Sequence, residues 1–266
     1  EALRHTHVFF GHAFKGQHDA ADLLARFRRG GGRLLDVEYL TGADGTRLVA
    51  FGYWAGYAGA SLGLLAARGA IEAPLSPMSK DALDDRLRSS TPAADEAALV
   101  VGARGRSGRG AVDALAVGGI TATTWDRAET DPIDRDRLRA HTLLVNCVAV
   151  STPREPFVTA ADLDAPGSRL AVLTDVTCDV TSDLNLLPVN TSTTSWEEPV
   201  RTLRDGERTV QVVAIDNLPS LLPAEASATF SHDLLPQLLG LDAMTAPWQH
   251  ALEVFDTTSA AVLGPA

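Results

Sequence analysis

The stretch Val100-Val101-Gly102-Ala103-Arg104-Gly105-Arg106-Ser107-Gly108-Arg109-Gly110-Ala111 decides the fold of this chain. Apolar Ala97-Ala98-Leu99-Val100-Val101 leads into four glycines within nine residues, and residues 111–117 follow with a helical pattern. A second short run, Ile120-Thr121-Ala122-Thr123-Thr124-Trp125, ends at Asp126. Strand, glycine turn, helix, strand, acid is the order of a dinucleotide-binding βαβ unit. Glycines let the turn close and bring backbone N–H groups against a pyrophosphate, while the helix start adds unpaired N–H groups and partial positive charge. Asp126, 24 residues after Gly102, is placed to accept hydrogen bonds from the adenosine ribose. A carboxylate there favours NAD over NADP, whose 2′-phosphate it repels. The spacing reads Gly102-x-x-Gly105-x-x-Gly108-x-Gly110, one residue longer in the first turn than G-x-G-x-x-G. A tight turn that binds nothing is the plain alternative; the flanking strands and the acid favour a nucleotide pocket.

The 266 residues suit one large domain or two smaller ones sharing a cleft. An apolar content of 45% supplies a core, and a net charge of −11 argues against nucleic acid and anionic membranes as partners. It leaves room for an anionic substrate, because a site can be locally basic. Cys147 and Cys178 have no zinc-like spacing and read as buried, reduced thiols of a cytoplasmic protein. No leader pattern or membrane-length apolar run is read, so no membrane partner is expected. By Val8-Phe9-Phe10 the chain already has a core-strand pattern, from which a segment upstream of Glu1 is expected.

Outward from the turn, residues 7–11 read as a short strand and 20–28 as an amphipathic helix closed by Arg29-Gly30-Gly31-Gly32. Residues 34–40 and 47–51 read as strands joined through Ala43-Asp44-Gly45. The small residues of 53–67 permit close helix packing and suit a helix crossing between two domains. A loop with a short helix is expected over 74–92. The apolar runs at 143–150, 169–175 and 210–216 read as buried parallel strands, and open α/β sheets place ligands at such strand ends. The tail from 223 to 262 has a helical pattern. His5, His7 and His12 lack paired acids at ligand spacing, so no metal site is expected.

Together, several segments resemble NAD-dependent, lysine-forming saccharopine dehydrogenases, relatives of alanine dehydrogenases and transhydrogenases. They are Phe9-Phe10-Gly11-His12-Ala13-Phe14-Lys15-Gly16-Gln17, Leu35-Asp36-Val37-Glu38-Tyr39-Leu40 and Ala50-Phe51-Gly52-Tyr53-Trp54-Ala55-Gly56-Tyr57-Ala58-Gly59. The glycine turn, Trp125-Asp126-Arg127-Ala128-Glu129-Thr130, Asn146-Cys147 and Asp175-Val176-Thr177-Cys178-Asp179-Val180-Thr181 continue the likeness. The long run from Ile215-Asp216-Asn217-Leu218-Pro219 to Ser227 completes it.

The resemblance implies an α/β protein with two Rossmann-like domains around an active-site cleft, the N-terminal part of the substrate domain missing. Residues 1–52 and 224–266 would form the substrate domain, and 53–223 the NAD domain. The implied reaction is oxidation of saccharopine to L-lysine and 2-oxoglutarate, with NAD as cofactor. An enzyme for another opine-like or simple amino acid, or a catalytically incomplete nucleotide-binding module, stays open beside it. By likeness His12 is the acid/base residue, and an imidazole titrating near neutrality suits that task. Gln17, Arg47, Phe51, Thr177, Cys178 and Asp179 match substrate positions; Phe51 reads equally as core. Lys15 and Glu38 match polar positions near the reacting centre, where Glu38 either tunes a neighbour's pKa or serves as an ion-pair partner. Gly105, Arg106, Asp126, Thr130, Val176, Ile215, Asp216, Asn217 and Leu218 match dinucleotide positions. The family's catalytic lysine and one substrate arginine lie upstream of the histidine motif, outside the residues given. Thr46, Ser107 and Ala149 depart from the family pattern, where an arginine, a cysteine and a tyrosine occur, so no disulfide can join the glycine turn to Cys147.

Overall fold

The computed structural model describes residues 1–264 apart from 12, 15–18 and 207. The elements begin with β1 (Thr6–Phe9), α1 (Ala20–Gly30), β2 (Arg33–Asp36), α2 (Gly52–Ala67), α3 (Lys80–Ser89), β3 (Ala98–Val101), α4 (Arg106–Val117) and β4 (Thr123–Trp125). They continue with α5 (Arg135–Arg139), β5 (Leu143–Asn146), α6 (Ala160–Asp164), β6 (Val172–Asp175), β7 (Arg201–Arg204), β8 (Val210–Val213), α7 (Pro223–Leu239) and α8 (Ala246–Leu263). They divide into two compact units, Glu1–Ala50 with Ser227–Ala266, and Phe51–Ala226. The expected α/β class holds, with parallel strand pairs in each unit.

In the first unit β1 and β2 pair in parallel, Val8 opposite Leu35. Leu24 and Phe27 of α1 pack with Leu34 and Phe255, and Leu35, Val37, Leu40 and Val49 pack with Trp248 and Ala251 of α8. The strand expected over 34–40 stops at Asp36. There the buried carboxylate accepts the N–H of Glu38 at 3.0 Å and that of Gly11 at 3.1 Å, turning the chain into a 3₁₀ turn, Val37–Tyr39. No strand forms over 47–51; one bridge, Thr41 with Arg47, is all that pairs there.

The second unit is built on a six-stranded sheet, order β4-β3-β5-β6-β8-β7, parallel except for β7. Side chains alternate along each strand and supply two cores. Ala98, Val100, Leu143, Val145 and Val172 face the core shared with α2, α3 and α4. Leu99, Val101, Leu144 and Leu173 face the opposite one, with Leu138, Phe157 and Leu187. The helix α2 lies wholly within this unit, so it is no crossing helix. Its glycines admit close neighbours: a Cβ on Gly56 would lie 1.8 Å from the Ser107 carbonyl oxygen, and one on Gly63 2.1 Å from Thr174 Oγ1. Among the described residues no helix is long and apolar enough to cross a membrane.

Candidate dinucleotide site

Between β3 and β5 the strand order reverses: α4 carries the chain from β3 to β4 on one side, and β5 returns to the other. Open α/β sheets bind ligands at such a switch point, outside the carboxyl ends of the strands. Gly102 leaves β3 with φ +82°, a left-handed conformation suited to glycine, and its carbonyl accepts the N–H of Gly105 at 3.1 Å.

The helix α4 starts at Arg106, five residues earlier than its apolar pattern suggests, with Gly105 as an N-cap that offers no side-chain hydrogen bond. The first-turn N–H groups therefore have no capping side chain to bond. Gly108 and Gly110 lie inside the helix, where packing explains them. A Cβ on Gly108 would stand 2.1 Å from the Gly102 carbonyl oxygen, and one on Gly110 2.0 Å from that of Tyr53. Only Gly102 and Gly105 belong to the turn itself.

Asp126 follows β4. Its Oδ1 accepts the Arg104 N–H at 3.2 Å, and its Oδ2 lies 3.5 Å from Arg104 Nε. The loop behind is closed by local bonds: the Asp126 N–H donates to Glu129 Oε2 at 2.8 Å, and the Thr130 hydroxyl donates to the Asp126 carbonyl at 2.9 Å. Asp126 borders a cavity of about 590 Å³ lined also by Ala103, Arg104, Arg109, Val112 and Thr124. A carboxylate a quarter exposed at the mouth of a cavity is placed to meet a ribose.

Next along the sheet edge, Val176 continues the ladder through its N–H to the Asn146 carbonyl at 3.0 Å. Asp175, buried at the end of β6, enters the sequence analysis as the end of an apolar run and the first residue of the 175–181 likeness, with no site role. Its Oδ1 accepts from Asn146 Nδ2 at 3.1 Å, Thr177 Oγ1 at 2.8 Å and the Thr177 N–H at 3.2 Å. Burial raises its pKa above the ordinary carboxylate value despite these bonds. Three residues on, Cys178 takes φ +52°, and its thiol donates to the Asp175 carbonyl. Burial and the same carboxylate push the Cys178 thiol up to about 12 and raise the Cys147 thiol further, so neither is a thiolate. Asp175 thus fixes the turn that carries Thr177, Cys178 and Asp179. Asp175→Ala strips an acceptor from three donors and is expected to cost about 2–3 kcal/mol of stability. Urea unfolding checks this, and an unchanged midpoint would contradict it.

After β8, Ile215 and Leu218 point into the core, so a ligand at this end could reach them only through their backbone. Asp216 and Asn217 are exposed; Asn217 takes φ +63° and its Nδ2 donates to Ser220 Oγ at 2.7 Å. In the first unit, Glu38 is buried and pairs with Arg47 at 2.8 Å, and both carboxylates, Glu38 and Asp36, add to burial in raising the Tyr39 pKa. Phe51, half-buried, directly precedes α2. His12, Lys15 and Gln17 lie outside the described residues.

The Gly102–Gly105 turn and the acid after the second strand therefore fit an adenine dinucleotide, on the fold's own switch point. No family model matches the chain. It is 40% identical over 281 residues to saccharopine dehydrogenase [NAD(+), L-lysine-forming] of Neurospora crassa, covering 96% of this chain and 74% of that protein. The enzyme of the same name from Emericella nidulans is 37% identical over 280 residues, with 96% and 74% covered. Among solved structures, an L-alanine dehydrogenase superposes with a TM-score of 0.60 at 14% identity, over 98% of this chain and 76% of that one, a likeness of fold alone. Identity of this extent, on a sheet whose switch point carries the glycine turn and Asp126, places the chain in the NAD-dependent, lysine-forming saccharopine dehydrogenase family.

Proposed function

We propose that this protein is an NAD-dependent oxidoreductase that cleaves saccharopine to L-lysine and 2-oxoglutarate. The observation that carries this is the glycine turn at the β3/β5 switch point with Asp126 beside it, in a member of this family. When bound, NAD supplies the acceptor for a hydride leaving the Cα of the glutamate part. The chain's own groups do the rest. First-turn amides of α4, around Gly105 and Arg106, hold the diphosphate, and Asp126 accepts from the ribose hydroxyls. Val176 and the 215–218 turn border the same sheet edge and hold the remainder, with Thr130 closing the loop behind Asp126. Thr177, Cys178 and Asp179 approach the substrate on the turn that Asp175 fixes. In the other unit, Arg47 holds a carboxylate, with Gln17 and Phe51 as further substrate contacts. Glu38, its ion-pair partner, sets the charge around Arg47. His12 moves protons between the substrate nitrogen and water as the C–N bond is hydrolysed, with Lys15 as a pKa-tuning group. Residues 1–52 with 224–266 serve the substrate, and 53–223 the dinucleotide.

We place the protein in the cytoplasm, where unpaired cysteines stay reduced, and take its partners to be small molecules rather than nucleic acid, given a net charge of −11. The test is NADH formation when the full-length protein meets NAD and saccharopine. Turnover of another amino acid instead would move the substrate assignment. Asp126→Ala is expected to raise the Kd for NADH by about tenfold and to narrow the gap to NADPH. Equal losses for both dinucleotides would remove Asp126 from the ribose.

A further inference from the structure

Asp36 is wholly buried at the end of β2, and its carboxylate holds backbone on two sides. The β1–β2 ladder ends at Phe9, opposite Asp36. Two residues further, the Gly11 N–H donates to Asp36 Oδ1 at 3.1 Å, so the side chain carries the tie between these segments past the last ladder pair. The same oxygen accepts the Glu38 N–H at 3.0 Å and starts the 3₁₀ turn on which Glu38 meets Arg47 at 2.8 Å. The second oxygen, Oδ2, has no hydrogen-bond partner among the described residues. The fold alone asks less of this position. A serine or threonine would close the turn by accepting the N–H two residues on, without burying a charge that costs free energy. What the longer carboxylate adds is the reach to Gly11, the residue directly before His12.

We propose that Asp36 is a positioning residue for the reaction: it fixes the backbone at Gly11 that leads into His12 and ties it to the turn bearing Glu38, the partner of Arg47. The proton-transfer group and the carboxylate-holding arginine then keep one spacing. Chemistry on a bound amine needs that spacing, since a misplacement of about 1 Å can cost about 100-fold in rate. A charged acceptor suits the task, because it grips an N–H about twice as strongly as a neutral one. Being buried, Asp36 acts through the backbone and not on the substrate. The proposal deepens the reading that His12 is the acid–base group and rests on it.

The test is saccharopine oxidation by the full-length protein, with Asp36→Ser and Asp36→Asn each made alone and together with His12→Ala. Serine keeps an acceptor for the Glu38 N–H but falls one bond short of Gly11. It should lower kcat by about 10- to 100-fold, with the saccharopine KM and the NADH Kd held within about twofold. Asparagine keeps Oδ1 for both N–H groups and should recover most of kcat. Beside His12→Ala, where the histidine has nothing left to lose, Asp36→Ser should cost no more than about twofold. An unchanged kcat in Asp36→Ser overturns the inference, as does an equal loss with and without His12, or an asparagine variant no better than serine. Lost NADH affinity or a serine variant that does not fold marks a merely structural residue and overturns it too. If His12→Ala alone leaves kcat unchanged, the acid–base reading itself has failed and the inference falls with it.

Discussion

Gly108→Ala is expected to lower stability by about 3 kcal/mol or more and to abolish measurable NADH binding. The position is helical, the third residue of α4. Helix propensity alone predicts a gain of about 1 kcal/mol for this exchange. The tertiary structure predicts the opposite sign. The added Cβ would stand 2.1 Å from the Gly102 carbonyl oxygen and 2.5 Å from the Ala103 Cα, and both are backbone atoms that no rotamer change can move aside. Relief requires α4 to retreat from the Gly102–Gly105 turn, which takes its first-turn N–H groups away from the place a diphosphate would occupy. Thermal or urea unfolding with an NADH titration decides the matter. Gly206→Ala is the control: a Cβ there meets nothing within 4 Å. It should stay within about 0.5 kcal/mol of the unaltered protein, with the same NADH affinity. A stabilised Gly108→Ala protein that still binds NADH would refute the close contact.

His12→Ala is expected to reduce kcat for saccharopine oxidation by about 10²- to 10⁴-fold, the range of a lost general acid–base. The dinucleotide machinery lies on other residues, so the NADH Kd should stay put. That split is the informative part. An unchanged kcat takes the histidine out of the mechanism, while a parallel loss of NADH affinity would make it a structural residue.

The reading of the linear chain reached the nucleotide unit because its signals are local. An apolar run, a left-handed glycine, a helical pattern and an acid at the next strand end are all written within 30 or so residues. The three later apolar runs became β5, β6 and β8 for the same reason: a parallel strand covered on both faces needs unbroken apolar residues. The antiparallel edge strand β7, Arg201-Thr202-Leu203-Arg204, escaped notice. Three of its four residues are polar and it is short, as edge strands often are. The strand expected over 47–51 did not form, because its apolar pattern had no partner to pair with beyond the Thr41 bridge. Asp175 was legible as the acid closing an apolar run. Its three-donor grip on Asn146 and Thr177 was not, since Asn146 sits 29 residues away.

By itself the sequence determined the α/β class, the glycine turn with the acid at the next strand end, and the family, since these depend on residue order over short spans and on long runs of identity. Only the tertiary structure decided what the later glycines are for. Whether a missing Cβ makes room for a ligand or for another backbone depends on what stands opposite. At Gly108 and Gly110 that is a carbonyl of the Gly102 turn and one of α2, brought there by packing between elements that no local pattern specifies. The pairing of Asp126 with Arg104, and of Glu38 with Arg47, was settled in the same way, by where folded segments set charges side by side.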